Sequence, residues 1–379
     1  MNVEIVPTVI YSSMMGMTLF ALFDVMNRPR QRPNLFLSGL LLLLLTHIIG
    51  ELFIYSGAYV LAPGLAGLQF PLRVLLGPAL FFYAFSVMSP DKQLPKKAYF
   101  IALLGPVIVL SAMLPFLLIS PEDKLAMANP ATRDPELFKV ALFICTFAMF
   151  TFVVFTASYF LLTFKLQKQH RQQLMQRYSS IEKRSMDWFR FVLILWGCVW
   201  LLFTVEYSLG FLGIKWFGSG IVIPTLEALV LLTFSHYALK QPILEESEKT
   251  PVTTKQARTY TLELEQMKQV ADKLKLAMTG EQLFLEEDLS LKRLSEVTSV
   301  TENHISETLS QHLNTNFFQF VNGYRVEQAK SLLVSTENNV STIAYEVGFN
   351  SKSTFNAAFK KSTGTTPTAY RHQENRLAS

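Results

Sequence analysis

Seven long apolar stretches fill the first 240 positions of this 379-residue chain and leave little freedom in what it can become. They run approximately from Ile5 to Met26, Leu35 to Ser56, Gly67 to Met88, Ala98 to Ile119, Leu137 to Phe164, Phe189 to Leu212 and Ile221 to Leu239. A helix needs about 20 mainly apolar residues to cross roughly 30 Å of hydrocarbon, where every backbone polar group must be satisfied within the segment. Residues 1–240 therefore read as an all-α, seven-span transmembrane helical bundle. Pro71, Pro78, Pro106, Pro115 and Pro224 lie inside the spans and free carbonyls; ordinary helix packing accounts for them more simply than a hinge.

The connections carry a sidedness. The first, third and fifth hold 13 Lys and Arg residues, seven of them between Lys165 and Arg190, whereas the second, fourth and sixth hold three: Lys124, Arg133 and Lys215. Cytoplasmic loops carry the excess of basic residues, so the N-terminus is expected outside and everything beyond residue 240 in the cytoplasm. The first 27 residues lack a basic n-region and a small-residue cleavage site, and read as a retained span.

Composition narrows the chemistry. Charged residues make up 17% of the chain, against roughly 25% in globular proteins, and the net charge of +5 divides into +7 before residue 241 and −2 after it. Cys145 and Cys198 both lie in apolar runs, which excludes a disulfide framework and a zinc cluster; no metal or other cofactor is expected. His47-x-x-x-Glu51 is not a metalloprotease motif, and phosphate loops, Gly-x-Ser-x-Gly elbows and kinase signatures are missing, so no enzyme is expected.

Ionisable residues inside spans are expensive and are functional candidates by default. Five stand out: His47 and Glu51 in span two, Arg73 in span three, Glu206 in span six and Glu227 in span seven. Glu51, Arg73, Glu206 and Glu227 fall at similar depth, within roughly 4 to 10 Å of the outer boundary at 1.5 Å per residue, and His47 lies one turn deeper on the face of Glu51. They could form a polar pocket for a cationic or hydroxylated ligand or a proton, or a buried charge network that fixes helix packing.

Beyond Lys240, a segment with two prolines and no apolar period reads as a tether, and residues 241–285 as a cytoplasmic linker. Within it Tyr260, Leu264, Met267, Ala271, Leu274 and Met278 recur at heptad spacing, a seam that either pairs two chains or packs on the domain that follows. Residues 286–379 read as short helices: Leu291 to Val297, a turn, a helix capped by Thr301 and running to about Leu313, a longer helix from Phe317 to Leu333, then Val340 to Val347, a turn at Gly348, and Ser351 to Ser362, stopped by Gly364 and Pro367. Helix, tight turn, helix occurs twice around one connecting helix, a spacing suited to successive major grooves of a DNA duplex, though periodicity alone fits any small all-α bundle equally well.

The run from Ser341 to Arg371, STIAYEVGFNSKSTFNAAFKKSTGTTPTAYR, resembles the C-terminal signature of the AraC/XylS family of bacterial transcription regulators. Asn303-His304-Ile305-Ser306 and Tyr324-Arg325-Val326-Glu327-Gln328-Ala329-Lys330 resemble that family's first recognition helix and its linker helix. The resemblance covers about residues 285 to 372 and implies two helix-turn-helix units joined by a linker helix, with double-stranded DNA as partner. Outward positions are then Asn303, His304, Ser306, Glu307 and Ser310 in the first unit and Asn350, Ser351, Lys352, Thr354, Asn356, Lys360 and Lys361 in the second. Hydroxyls and amides suit base edges and phosphates, and lysines suit phosphates. Arg325 is expected to make a salt bridge holding the two units together rather than to touch a base. Ser295 and Ser299 depart from the family's small Ala and turn Gly, and Glu307 and Ala357 from positions where arginine is frequent.

Residues 289–379 carry nearly balanced charge, so weak binding by an isolated monomer is expected, with homodimerisation through linker or spans raising it. The chain reads as a membrane-bound transcription regulator with lipid, DNA and a small ligand or sensor partner as its contacts. Two alternatives stand: spans that are only a passive anchor, and a multi-span transporter-like sensor.

Overall fold

The computed structural model describes residues 3–90, 92–129, 131–211, 220–241 and 262–378. The expected tether through residue 261, Tyr260 of the heptad seam and Lys215 of the sixth connection lie outside them. The chain divides into two units, one of residues 1–167 and 187–252 and the other of residues 168–186 and 253–379. Among the described residues the regular structure is helical, with an isolated antiparallel bridge between Tyr178 and Ser290.

The first unit comprises α1 (Ile5–Met26), α2 (Arg32–Tyr55), α3 (Gln69–Arg73), α4 (Leu76–Met88), α5 (Lys96–Leu117), α6 (Pro121–Met127), most of α7 (Pro135–Arg177), α8 (Asp187–Phe211) and α9 (Val222–Lys240). Seven helical segments in it are long and apolar enough to cross a membrane, and they coincide with the seven apolar stretches of the sequence. Their outer faces stay greasy: Phe20, Phe100, Phe143 and Leu161 are each about 70% exposed. Helices that are apolar all round are stable only where another apolar medium covers them.

Inside the bundle, α1 packs along α2 and α9, α2 along α4, and α8 along α9. The third apolar stretch is two helices, not one. Pro78 has no N–H to offer the carbonyl of Val74, so the ladder breaks at Val74 and Leu75, between α3 and α4, and Arg73 ends the short helix. A helix break therefore exists here; α5 in contrast runs unbroken through Pro106 and Pro115. Gly105 lets α5 come close: a Cβ there would stand 2.7 Å from Val74 and 2.9 Å from Phe155.

The short α6 was not expected. Its Lys124 is 2% exposed, with Nζ donating to the carbonyls of Gly64 (3.1 Å) and Leu117 (3.2 Å) and lying 5.2 Å from the ring of Phe116. The Tyr59 hydroxyl donates to the Lys124 carbonyl. Burial lowers the lysine's pKa, and the second and fourth connections are fastened together around it.

The second unit contains α10 (Leu264–Thr279), α11 (Leu291–Thr298), α12 (Glu302–Glu307), a π turn at Thr308–His312, α13 (Phe317–Ser335), α14 (Val340–Glu346), α15 (Lys352–Thr363) and α16 (Pro367–Ala378). It has two cores. Leu274, Ala277 and Met278 of α10 join Phe284, Leu289, Leu294, Ile305, Leu309, Phe317 and Val321 in the first, so the heptad seam packs on the chain's own domain. Val326, Ala329 and Leu333 join Ile343, Ala344, Val347, Phe349, Phe355 and Phe359 in the second. Helix α13 thus gives its N-terminal half to one core and its C-terminal half to the other. Helix α16, beyond the expected stop at Gly364, covers the second core with Tyr370 against Phe359, while Arg371 donates to the carbonyls of Leu333 (2.9 Å) and Asn338 (2.6 Å) past the end of α13.

The turns of the two helix pairs differ as the sequence suggested. Gly348 has φ of 91°, and a Cβ there would meet the carbonyl oxygens of Phe284 and Leu285 at 2.8 and 2.9 Å. The corresponding Ser299 holds φ of 53° without that freedom, and the Ser295 hydroxyl closes the turn by donating to the Val300 carbonyl at 2.5 Å. A non-glycine residue in the left-handed region costs roughly 1 to 2 kcal/mol. Ser299→Gly is therefore expected to raise amide hydrogen-exchange protection in α11 and α12 by about tenfold, and Gly348→Ala to lower it in α14 and α15 by more than that, measured on the full chain.

Candidate nucleic-acid interface and buried polar cluster

Helices α12 and α15 both start from a side-chain cap. Thr301 accepts from the His304 amide (3.3 Å) ahead of α12, and Ser351 accepts from the Thr354 amide (3.2 Å) ahead of α15. On α12 and the π turn after it, Asn303 and Ser310 are exposed while His304, Ser306 and Glu307 are half-buried. On α15, Lys352, Lys360 and Lys361 are exposed, and Thr354 and Asn356 half-buried. Two expected outward residues already have partners. The Ser351 hydroxyl is the cap and also donates to Thr354 Oγ1 (3.0 Å); the Asn350 amide donates to Ser180 Oγ (2.8 Å) and Asp288 Oδ1 (3.0 Å). Ser353, exposed one turn before Ala357, was not singled out from the sequence.

Arg325 lies between the two cores with no exposed surface. Its Nε donates to the Phe284 carbonyl (2.7 Å), and Nη2 donates to the Glu286 carbonyl (2.7 Å) and Ser179 Oγ (3.1 Å). Nη1 donates to Asn322 Oδ1 (3.1 Å), and the guanidinium faces the ring of Phe349 at 5.5 Å. The residue does lie between the two helix pairs, but it is held by backbone carbonyls and the neutral side chains of Asn322 and Ser179 rather than by the expected salt bridge. Burial pushes its pKa down to about 10, opposed by Glu182, Asp288 and Glu287, so it stays charged at neutral pH.

In the first unit, four of the five ionisable candidates meet. Glu227 Oε2 accepts from the Tyr11 hydroxyl at 2.9 Å and lies 3.3 Å from His47 Nε2. His47 Nδ1 is 3.8 Å from Glu51 Oε1, which accepts from Arg73 Nη1 at 3.0 Å. Arg73 also lies over the rings of Phe203 (4.4 Å) and Phe152 (5.7 Å). The chain of contacts ties α1, α2, α3 and α9 together and reaches α7 and α8. Glu206 is half-buried on α8. Tyr11 was missed because an uncharged hydroxyl gives no signal in an apolar run. A cavity of about 20 Å³ beside His47 and Glu227, lined by Leu44, Trp196, Trp200 and Val230 among others, has room for a single water. Among the described residues no cluster of His, Cys, Asp and Glu could hold a metal ion.

Comparison with known proteins places the C-terminal segment. Residues 294–373 match the helix-turn-helix domain family, and the segment is an AraC-type DNA-binding domain. An uncharacterized HTH-type transcriptional regulator of Staphylococcus aureus (strain COL) is 39% identical over 90 residues, 24% of this chain and 12% of that protein. The uncharacterized HTH-type transcriptional regulator YdeC of Bacillus subtilis (strain 168) is 26% identical over 113 residues, 30% of this chain and 39% of that protein. The chain thus spans only a minor part of the relatives it matches. Among solved structures, the C-terminal domain of AraT, a response regulator from Geobacillus stearothermophilus, is 31% identical with a TM-score of 0.25, covering 27% of this chain and 84% of that one.

The Arg73–Glu51 pair is 5% and 15% exposed at its side chains, so removing one partner strands the other. Arg73→Ala is expected to cost about 3 to 5 kcal/mol, and the Glu51→Ala, Arg73→Ala double variant to cost less than the two single changes together by at least about 1 kcal/mol. Tryptophan fluorescence during denaturant unfolding of the detergent-solubilised chain reads both, since Trp196 and Trp200 line the adjoining cavity.

Proposed function

We propose that the chain is a bacterial inner-membrane transcription regulator whose seven apolar helices span the bilayer and whose AraC-type domain binds double-stranded DNA from the cytoplasm. The observation that carries the reading is a pair of capped helices, α12 and α15, presenting Asn303, Ser310, Lys352, Lys360 and Lys361 to solvent within a segment that matches helix-turn-helix domains. Seven membrane-length helices and the excess of basic residues in alternate connections support the topology, with the N-terminus outside. The covering medium for the exposed phenylalanines is then membrane lipid.

On this reading Asn303, His304, Ser306, Glu307 and Ser310 face one major groove and Asn350, Ser351, Lys352, Thr354, Asn356, Lys360 and Lys361 the next. Helix α13, 19 residues or roughly 28 Å at 1.5 Å per residue, supplies the spacing. The near-neutral domain binds tightly only as a homodimer or cluster. The spans take up a membrane or periplasmic signal through the His47, Glu51, Arg73, Glu227 cluster, with Glu206 nearby in sequence depth. The cavity there suits a water or a proton better than an organic ligand in this packing. The response is a population shift between two packings of the helices, which requires that the signal bind them unequally.

Mapping chromosomal sites bound by the full chain tests the assignment, and the reading fails if none is enriched. At an enriched site, Lys360→Ala and Lys361→Ala are expected to weaken binding across sequences and each to reduce the slope of log affinity against log salt by about one. Removing residues 1–240 is expected to abolish the response to stimulus while leaving site preference intact; a mere anchor would lose location alone.

A further inference from the structure

Residues 168–186 belong to the DNA-binding unit, yet in sequence they form the connection between the fifth and sixth apolar helices. The portion that docks is short. Ser179 gives its amide (3.0 Å) and its hydroxyl (2.9 Å) to the Leu289 carbonyl, and Tyr178 bridges Ser290, the cap of α11. The Ser179 carbonyl accepts from Asn322 Nδ2 (3.3 Å) and more distantly from Arg325 Nη1 (3.5 Å), and Arg325 Nη2 donates to its hydroxyl. Next to it, Ser180 Oγ accepts from Asn350 and donates to Glu182 Oε2 at 2.6 Å. Arg184 lies against the ring of Tyr178 at 4.5 Å and 3.8 Å from Asp288 Oδ1, the second acceptor of Asn350.

Three features make this contact more than packing. Its partners on the DNA-binding domain lie more than 100 residues along the chain, at Leu289, Asn322, Arg325 and Asn350. The contacts are hydrogen bonds, and Arg325 keeps Phe284, Glu286 and Asn322 when Ser179 leaves, so the two cores need not open for the segment to undock. Asn350 immediately precedes the cap of α15, and the amide that would reach DNA from that position is already donating to Ser180 and Asp288. An adenine edge and the pair Ser180 and Asp288 compete for the same donor.

We propose that residues 178–186 are a strap docked on the DNA-binding unit, that docking withholds Asn350 from DNA, and that undocking is the step by which the apolar helices change DNA binding. This rests on the reading of the chain as a membrane-bound DNA-binding regulator. Because α7 precedes the strap and α8 follows it, a shift of either helix bears directly on Ser179 without passing through the tether after Lys240.

A disulfide across the bridge tests it. Tyr178 and Ser290 occupy an antiparallel position flanked by the Ser179 to Leu289 hydrogen bond, where Cα atoms sit about 4.5 Å apart, within the range a disulfide spans. The full chain in nanodiscs carries Tyr178→Cys and Ser290→Cys in a Cys145→Ser, Cys198→Ser background. The DNA is a duplex of the chromosomal site most enriched by the wild-type chain. Oxidation is expected to form the bond and to weaken binding by roughly tenfold, the worth of one base contact, with recovery on reduction and no change in the single-cysteine variants. Ser180→Ala, which leaves the DNA-binding domain untouched, is expected to strengthen binding by roughly two- to tenfold, the worth of one hydrogen bond. Failure of the bond to form in protein that binds DNA when reduced, or unchanged affinity after it forms, overturns the strap. Reduced protein that binds no DNA overturns instead the reading beneath it.

Discussion

A charged guanidinium with no exposed surface holds the DNA-binding unit together, and the rest of that unit is arranged to make its burial tolerable. Taking Arg325 out of water costs several kcal/mol, which charge-assisted hydrogen bonds to several acceptors offset. The acceptors come from four places: the carbonyls at 284 and 286, the Asn322 amide oxygen one turn back, the Ser179 hydroxyl, and the π face of Phe349. Each belongs to a different piece of chain. Losing the arginine would leave carbonyls of the 283–287 turn without donors, and a lysine cannot replace a fork that serves several acceptors at once. Gly348 is part of the same constraint. Its missing Cβ is what lets the second turn lie against the 284 and 285 carbonyls while Arg325 Nε stands 3.1 Å from where that atom would be.

The bundle of apolar helices faces a different economy. On the proposed membrane reading, lipid is as apolar as leucine, so burying one more leucine between helices adds little, and specificity falls to close approach and to polar contacts. Both devices are present. Gly105 and Gly77 bring α5 and α4 against α7, and the Tyr11, Glu227, His47, Glu51, Arg73 chain crosses four helices. The break at Val74 and Leu75 belongs to this arrangement, because it ends α3 at Arg73 and turns the guanidinium toward Glu51 and Phe203.

Much of this was legible before any coordinates. Runs of apolar residues locate the seven long helices to within a few residues, because length and apolarity are local properties. The cap at Thr301, the stop at Gly364 and the two-pair pattern were legible because capping is local chemistry as well, whereas Ser351, expected to face DNA, caps α15 instead. What stayed hidden depends on distant partners. Lys124 looked like an ordinary loop charge, since nothing local says that the carbonyls of Gly64 and Leu117 await it. Helix α16 followed a legitimate stop signal. The docked stretch around Ser179 carries only small hydroxyls and a turn, and its significance comes from Leu289 and Arg325, more than 100 residues away. Periodicity places Arg325 in the core-facing stripe of a helix but cannot choose between carboxylate and carbonyl as its partner.

The placement of Asn350 ties the 178–186 stretch to the second helix pair. Its Nδ2 already has two acceptors, while its Oδ1 is buried without a partner, an arrangement tolerated only where something else offsets the cost. A side-chain amide that reads adenine needs both ends, the nitrogen donating and the oxygen accepting. In the docked arrangement one end is occupied and the other is starved, so the residue is held in a state less favourable than the one DNA could give it. A near-neutral domain gains little from phosphate attraction alone, and for such a domain the freedom of one amide weighs more than it would in a strongly basic one.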